Sequence, residues 1–408
     1  MNIIMKKKHN ARIYPIYKMF SWDLLFYYAI SFVFLVQVKN LSPAMVMFTD
    51  ALYPLFKIIN QIPATAMIDK IGKAKSLIFA NIILAIYLII MIFANNIGLV
   101  ILSYFIMAIA FSIKNVAEGN LLYDSVTSRN GKGMYSKLEE IGARNYYYLD
   151  GITSMLTGFT FVINGYLPMF ISLVFVIISV IISTRFKEIY ETKEESGSFK
   201  QKILDYKEEL TTASKFIFQS KRLQAIMVFV FFFNGIIYIS YTLRESLLTE
   251  INISPEFFAI IISTLTIISG ICASLQEKIH GIFKNRALTF MAIIYVSTFL
   301  LVGLVTGLNI NWFVMIAITL ILFAIQYAIQ SPYNVLRAKY LKSFATVSMR
   351  TKIDSTYNVI ESISQSLMAF ISSYFLTVFT VRENFILTGA AFGIILFIVL
   401  IWMRARTI

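Results

Sequence analysis

A small set of ionisable residues stands inside otherwise apolar stretches: Asp23, Lys57, Lys114, Glu118, Asp150 and Glu361. In hydrocarbon such a group costs ~2.5–3.5 kcal/mol on insertion scales, so it is expected to face a partner or a water-filled path. Asp150 is followed by Gly151 and has no basic residue one helical turn away, which suits a carboxyl that exchanges protons near neutral pH. Asp23 is the second proton candidate and Glu361 the third. Lys114 and Glu118, one turn apart, support each other along a helix, as do Glu140 and Arg144.

Other polar residues recur at helical spacing. Asn234, Tyr238, Tyr241 and Glu245 share one face, as do Thr319, Phe323, Gln326, Gln330 and Tyr333. Asp354, Asn358, Glu361 and Gln365 form a third stripe, Asp50, Pro54, Lys57 and Gln61 a fourth, and Asp23, Tyr27 and Phe34 a fifth. Tyr27, Asn234, Tyr238, Tyr241, Gln326 and Gln330 together suit an amphipathic, partly aromatic small molecule held by stacking and a few oriented hydrogen bonds. Hydrogen bonding between helices is the competing reading of each stripe. No nucleophile motif, phosphate-binding loop or histidine near a membrane acid points to an enzyme, and no cofactor is implied. The single cysteine, Cys272, excludes an intramolecular disulfide and gives no basis for a cysteine metal site; no metal is expected.

The elements that must position these residues are membrane helices. Of 408 residues, 58% are hydrophobic and 14% charged, too apolar for a soluble chain. Twelve apolar runs are long enough to cross ~30 Å of hydrocarbon: 19–38, 44–68, 76–95, 97–125, 138–164, 166–185, 223–247, 255–276, 287–308, 311–335, 351–378 and 384–403. The basic stretch from Met1 to Lys18 leads into the first of these without a small-residue cleavage site, so that run reads as an uncleaved helix. The net charge of +14 resides in alternate connections, which fits topology and anionic lipid better than nucleic acid, and no nucleic-acid partner is expected. Basic residues crowd one side, from Lys6, Lys7 and Lys8 through Lys70, Lys73 and Lys75 to Arg404 and Arg406. The opposite side offers only Lys39 and Arg382, which places both termini in the cytoplasm of a multi-pass inner (plasma) membrane protein.

Segment 186–222 is the long polar stretch, with Glu194, Glu195, Ser196, Gly197 and Ser198, followed by Ile203, Tyr206, Leu210, Ala213 and Phe216 at helical spacing. It divides the chain into a six-helix bundle at 1–185, a cytoplasmic linker with an amphipathic helix at 186–222, and a second six-helix bundle at 223–408. The halves share a weak repeat: Lys73-Ala74-Lys75-Ser76-Leu77-Ile78-Phe79 parallels Lys284-Asn285-Arg286-Ala287-Leu288-Thr289-Phe290. Met134, Lys137 and Glu139 likewise parallel Met349, Lys352 and Asp354. Such repeats are a mark of duplicated transporters.

Between the second and third spans, Asp69-Lys70-Ile71-Gly72-Lys73 resembles the loop signature of the major facilitator superfamily, with Thr65 and Ala74 departing from it. The fourth span has Asn115 where that family's signature has arginine, and the fifth lacks the glycine-proline cluster of its drug/proton antiporters. The resemblance implies an all-α membrane protein of twelve helices in two pseudo-symmetric bundles, working as a monomer. Every third helix would be an outer support, with spans 1, 4, 7 and 10 lining a cavity. It implies a gating role for Asp69, Lys70, Gly72 and Lys73, and it permits an interdomain pair between Lys57 and Glu361. The expected activity is secondary active transport of a small amphipathic solute by alternating access, coupled to protons and directed outward. Proton-coupled nutrient uptake and a non-transporting scaffold or sensor are the alternatives.

Overall fold

The computed structural model describes residues 3–126, 131–189, 199–273, 276–343 and 349–407. The Glu194 to Ser198 part of the polar stretch and Arg129 lie outside the described residues. The chain is helical almost throughout: α1 (Ile3–Ser21), α2 (Ser31–Val33) with a wider π turn (Phe34–Val38), α3 (Pro43–Ile71), α4 (Lys73–Phe93), α5 (Ile97–Val126), α6 (Gly131–Ile163), α7 (Leu167–Ser183) and α8 (Phe199–Gln219). Then come α9 (Lys221–Glu250), α10 (Pro255–Ala273), α11 (Gln276–Phe283), α12 (Ala287–Val305), α13 (Trp312–Ser343), α14 (Arg350–Val378) and α15 (Val381–Thr407).

Eight of the described helices are long and apolar enough to cross a membrane: α4, α5, α9, α10, α12, α13, α14 and α15, with α7 a shorter apolar helix. α3 and α6 are as long, but their charged and polar residues interrupt the apolar composition. Two of the helices expected as outer supports, α4 and α7, carry exposed apolar faces. On α4, Phe79, Ile82, Ile86, Ile89 and Phe93 are exposed at helical spacing. On α7, Phe170, Val174, Ile177 and Ile181 repeat the pattern.

The first span departs from the continuous helix expected over 19–38. Helix α1 begins far earlier and stops at Ser21, and residues 22–30 form turns. Asp23 accepts the Leu24 amide through Oδ1 at 3.0 Å, a local bond that competes with the helical ladder, and Phe26 adopts φ 61. Non-helical backbone at membrane depth must be sheltered by protein. Leu24, Leu25, Phe26, Tyr27, Ala29 and Ile30 are all buried. The basic start is not a loose tail either. Tyr14 and Tyr17 of α1 are buried, and Asn10 clamps Lys187, donating to its carbonyl at 2.8 Å and accepting its amide at 2.9 Å.

The chain divides into two compact units. One comprises Met1–Asn40, Leu52–Asp205 and Pro255–Ile260; the other comprises Leu41–Ala51, Tyr206–Ser254 and Ile261–Ile408. In the first, α4 packs on α5 and α7, and α1 on α5, α6 and α7. In the second, α9 packs on α14 and α15, and α12 on α13 and α15. At the α9–α14 crossing, a Cβ on Gly235 would come within 2.5 Å of Met368 Cγ, so the small residue sets the approach of the two helices.

Candidate functional site

In the first unit the polar interior gathers beside the break in the first span. Lys18 Nζ lies 3.0 Å from Glu118 and 3.7 Å from Glu139, while Lys114 Nζ lies 3.9 Å from Glu118. Tyr14 donates to Glu139 at 2.5 Å, and Ser21 donates to Glu118 at 3.4 Å. Lys114 is 2% exposed and Glu118 5%, so these charges are viable only because each has a partner. The expected Lys114–Glu118 pair is present; Lys18, which reads in sequence as part of a basic start, completes it.

Asp23 and Asp150 are close enough for their charges to be coupled, and Asp23 feels the charges of Lys114 and Lys57. Ser154 donates to Asp150 Oδ1 at 3.3 Å, one turn along the same helix. Trp22, in the break, stacks on Tyr146 at 5.6 Å, with Lys18 Nζ 4.5 Å from its ring centroid. Tyr27 is buried between Tyr28 and Tyr87 at 5.1 and 5.9 Å. Lys57 holds its ammonium 5.8 Å from the Tyr53 ring.

Asp69, Gly72 and Lys73 of the loop motif are engaged within this unit. Asp69 pairs with Lys202 of α8 at 2.6 Å, and Lys73 pairs with Asp124. Gly72 has φ 92 and ψ 162, a conformation essentially reserved for glycine, and opens α4 as its N-cap. Glu188 accepts the Ala74 amide at 2.8 Å, placing a carboxylate at the electropositive helix start. A Cβ on Gly72 would meet Glu188 Oε2 at 2.6 Å.

The second unit separates the expected binding residues into two clusters. Asn234 is a hub: it donates to Tyr357 at 2.6 Å and to Glu361 at 2.8 Å, and accepts from Tyr333 at 2.6 Å. Arg337 NH1 reaches Glu361 at 3.1 Å and Tyr357 donates to it at 2.6 Å. Glu361 is thus held by Arg337, a residue not singled out from the sequence, within its own unit.

The other cluster surrounds Arg244 of α9, which is 0% exposed. Its Cζ lies 4.9 Å from the Tyr241 ring centroid and 4.4 Å from that of Tyr327, and NH1 donates to Gln326 Oε1 at 3.1 Å. Gln330 donates to the Tyr241 hydroxyl. Tyr241, Gln326 and Gln330, read in sequence as binding residues, therefore meet around a cation that the sequence reading missed. Its signal was the Tyr241–Arg244 spacing of one helical turn. Tyr238 donates instead to the Asp50 carbonyl at 2.7 Å, beside Thr242, which donates to the Asp50 carboxylate at 2.6 Å.

Long apolar helices with exposed lipid-type faces and clustered interior charges define a multi-pass membrane protein of transporter architecture. The family model of the Major Facilitator Superfamily matches residues 19–348, and the chain belongs to that superfamily. Among solved structures it is similar to the nucleoside transporter NupG, with TM-score 0.72 and 11% identity, covering 99% of this chain and 100% of that one. It is also similar to a bacterial homolog of the human lysosomal transporter Spinster, with TM-score 0.69, 11% identity and coverage of 99% and 96%. A POT family transporter in complex with 5-aminolevulinic acid gives TM-score 0.67, 12% identity and the same coverages. No curated protein matches the chain.

Proposed function

We propose that the protein is a secondary active transporter that moves a small amphipathic solute across the cytoplasmic membrane by alternating access, coupled to protons and directed outward. The observation that supports the coupling is the non-helical stretch Trp22–Ile30, in which Asp23 leaves the helical ladder and accepts the Leu24 amide at 3.0 Å. Discontinuous helices at membrane depth are where transporters build ion and substrate sites. In this reading Asp150 carries the proton, with Asp23 and Glu361 as further members of the relay. Tyr27, Asn234, Tyr238, Tyr241, Gln326 and Gln330 contact the solute. Asp69, Lys70, Gly72 and Lys73 gate the cycle from the cytoplasmic side. A Lys57–Glu361 pair that forms in one state of the cycle is part of the same reading. Twelve spans, two six-helix bundles joined by 186–222, cytoplasmic termini and a monomeric working unit complete the proposal.

Transport in proteoliposomes under an imposed pH gradient tests it. Solute flux should run against the proton gradient, and Asp150→Asn should abolish gradient-driven flux while leaving solute exchange, because a permanently neutral side chain lets binding and rocking proceed without a proton. Flux in the same direction as protons would replace export by uptake. Full gradient-driven flux in Asp150→Asn would remove Asp150 from the mechanism.

A further inference from the structure

Arg244 and its neighbour Gln326 bring together three of the buried polar atoms that lack a hydrogen bond among the described residues. Arg244 is fully buried, yet its Nε and NH2 make no hydrogen bond, and the neighbouring Gln326 Nε2 makes none either. Buried polar groups are nearly always satisfied, so each exception calls for a physical reason. The hydroxyls of Tyr295 and Tyr327 stand beside the guanidinium as weak hydrogen-bond acceptors but make no well-formed hydrogen bond to Nε or NH2, and the Tyr295 hydroxyl is already shared with Ser240 at 2.6 Å. Glu245, next in the chain, senses the charge of Arg244 but forms no ion pair with it among the described residues.

All three unpartnered atoms are donors. What is missing must therefore be an acceptor, and beside a permanently charged guanidinium it should be an anion. The geometry narrows this further. NH1 is occupied by Gln326, while Nε and NH2 lie along one edge of the planar guanidinium, the parallel fork that takes the two oxygens of a carboxylate. The rings of Tyr241 and Tyr327 lie against the guanidinium, and with NH1 tied to Gln326 they hold the fork in place before any ligand arrives.

We infer that Arg244 and Gln326 form an oxyanion subsite, and that the solute of this protein carries a carboxylate which docks on the free Nε–NH2 edge. This rests on the transport reading above and names the substrate class for it. Inorganic phosphate offers the same paired oxygens and is the other source of such a group.

The test uses the full chain purified in detergent, with thermal unfolding followed at constant ionic strength in benzoate, its neutral isostere benzamide, or inorganic phosphate. Benzoate should raise the melting temperature saturably and benzamide should not. Arg244→Lys, which keeps the charge but loses the fork, should raise the half-saturating benzoate concentration at least tenfold. Gln326→Leu should raise it as well and serves if Arg244→Lys does not fold. Protection by phosphate alone, lost in the same variants, supports the subsite with phosphate as its group. Equal protection by benzoate and benzamide, no protection by any of the three, or an unchanged response in both variants overturns it. Proteoliposome flux separates the two readings. Binding of benzoate with no flux of any solute would sink the transport reading and leave the subsite, whereas flux confined to neutral solutes would do the reverse.

Discussion

Lys18 and Lys114 in the first unit share Glu118, with Glu139 behind it, whereas the buried Arg244 in the second has no carboxylate partner among the described residues and is held by one amide oxygen, two aromatic faces and the weak approach of tyrosine hydroxyls. Both arrangements hold cations out of water, but their energetics differ in kind. A closed set of ion pairs repays desolvation internally, so its members depend on one another. An open cation is sustained by weaker ring contacts and keeps its strongest bonding edge for something that comes from outside the fold. The Arg337–Glu361–Asn234 cluster is intermediate: its carboxylate is held by Arg337, Asn234 and Tyr357, yet Arg337 Nε is buried without a hydrogen bond. Arg244 differs from it in having two such nitrogens and no carboxylate partner among the described residues.

The largest effect expected from this contrast is on stability. Glu118→Gln should destabilise the protein by about 3–5 kcal/mol, because it strands the buried Lys114 and leaves Lys18 with Glu139 alone. Arg244→Met should change stability by less than about 1 kcal/mol, since relief of an unpaired buried charge offsets the lost ring contacts. Chemical denaturation in mixed micelles measures both; equal losses would erase the distinction between closed and open sites.

A smaller effect is expected at the loop motif, where backbone geometry is at stake instead of charge. Gly72→Ala should cost of order 1–3 kcal/mol, because only glycine sits comfortably at φ 92, ψ 162 and the new Cβ must displace Glu188. Thermal unfolding of the variant beside wild type reads this directly, and an unchanged midpoint would show that the turn is more plastic than its angles suggest.

The smallest effect on stability belongs to Asp69→Asn. Its pair with Lys202 is nearly half exposed at Asp69, and exposed pairs contribute below about 1 kcal/mol. Transport should nevertheless fall by more than the folded fraction does, as expected for a contact that distinguishes two states of the cycle. Wild-type turnover in proteoliposomes would reduce Asp69 to a helix-end residue.

Much of the helical layout is legible in the sequence because hydrocarbon demands long apolar runs, and α4, α5, α9 and α12 answer to that demand. The first span was not legible. Its break comes from a side chain competing with the backbone at Asp23 and from the shelter of surrounding helices, neither of which leaves a mark in hydropathy. Lys18 reads in sequence as the end of a basic start, a topology signal, whereas Arg244 lies within the apolar run 223–247 and was passed over beside the polar stripe of that span. Tyr241, Gln326 and Gln330 stood out through their spacing, yet that spacing says nothing about the charge they surround. Glu188 acts through an amide at a distant helix start, and only the fold brings it there.

The placement of Trp22 gives the broken first span an optical voice. The sequence contains only three tryptophans, and Trp312 and Trp402 stand far along the chain, near the starts and ends of other helices. With those two replaced by phenylalanine, the emission of the protein would arise from one indole, flanked by Tyr146 and by the ammonium of Lys18. Quenching by that ammonium and the spectral response to local field would then report, without any attached label, whether the turns between Trp22 and Ile30 rewind when a solute or a proton arrives.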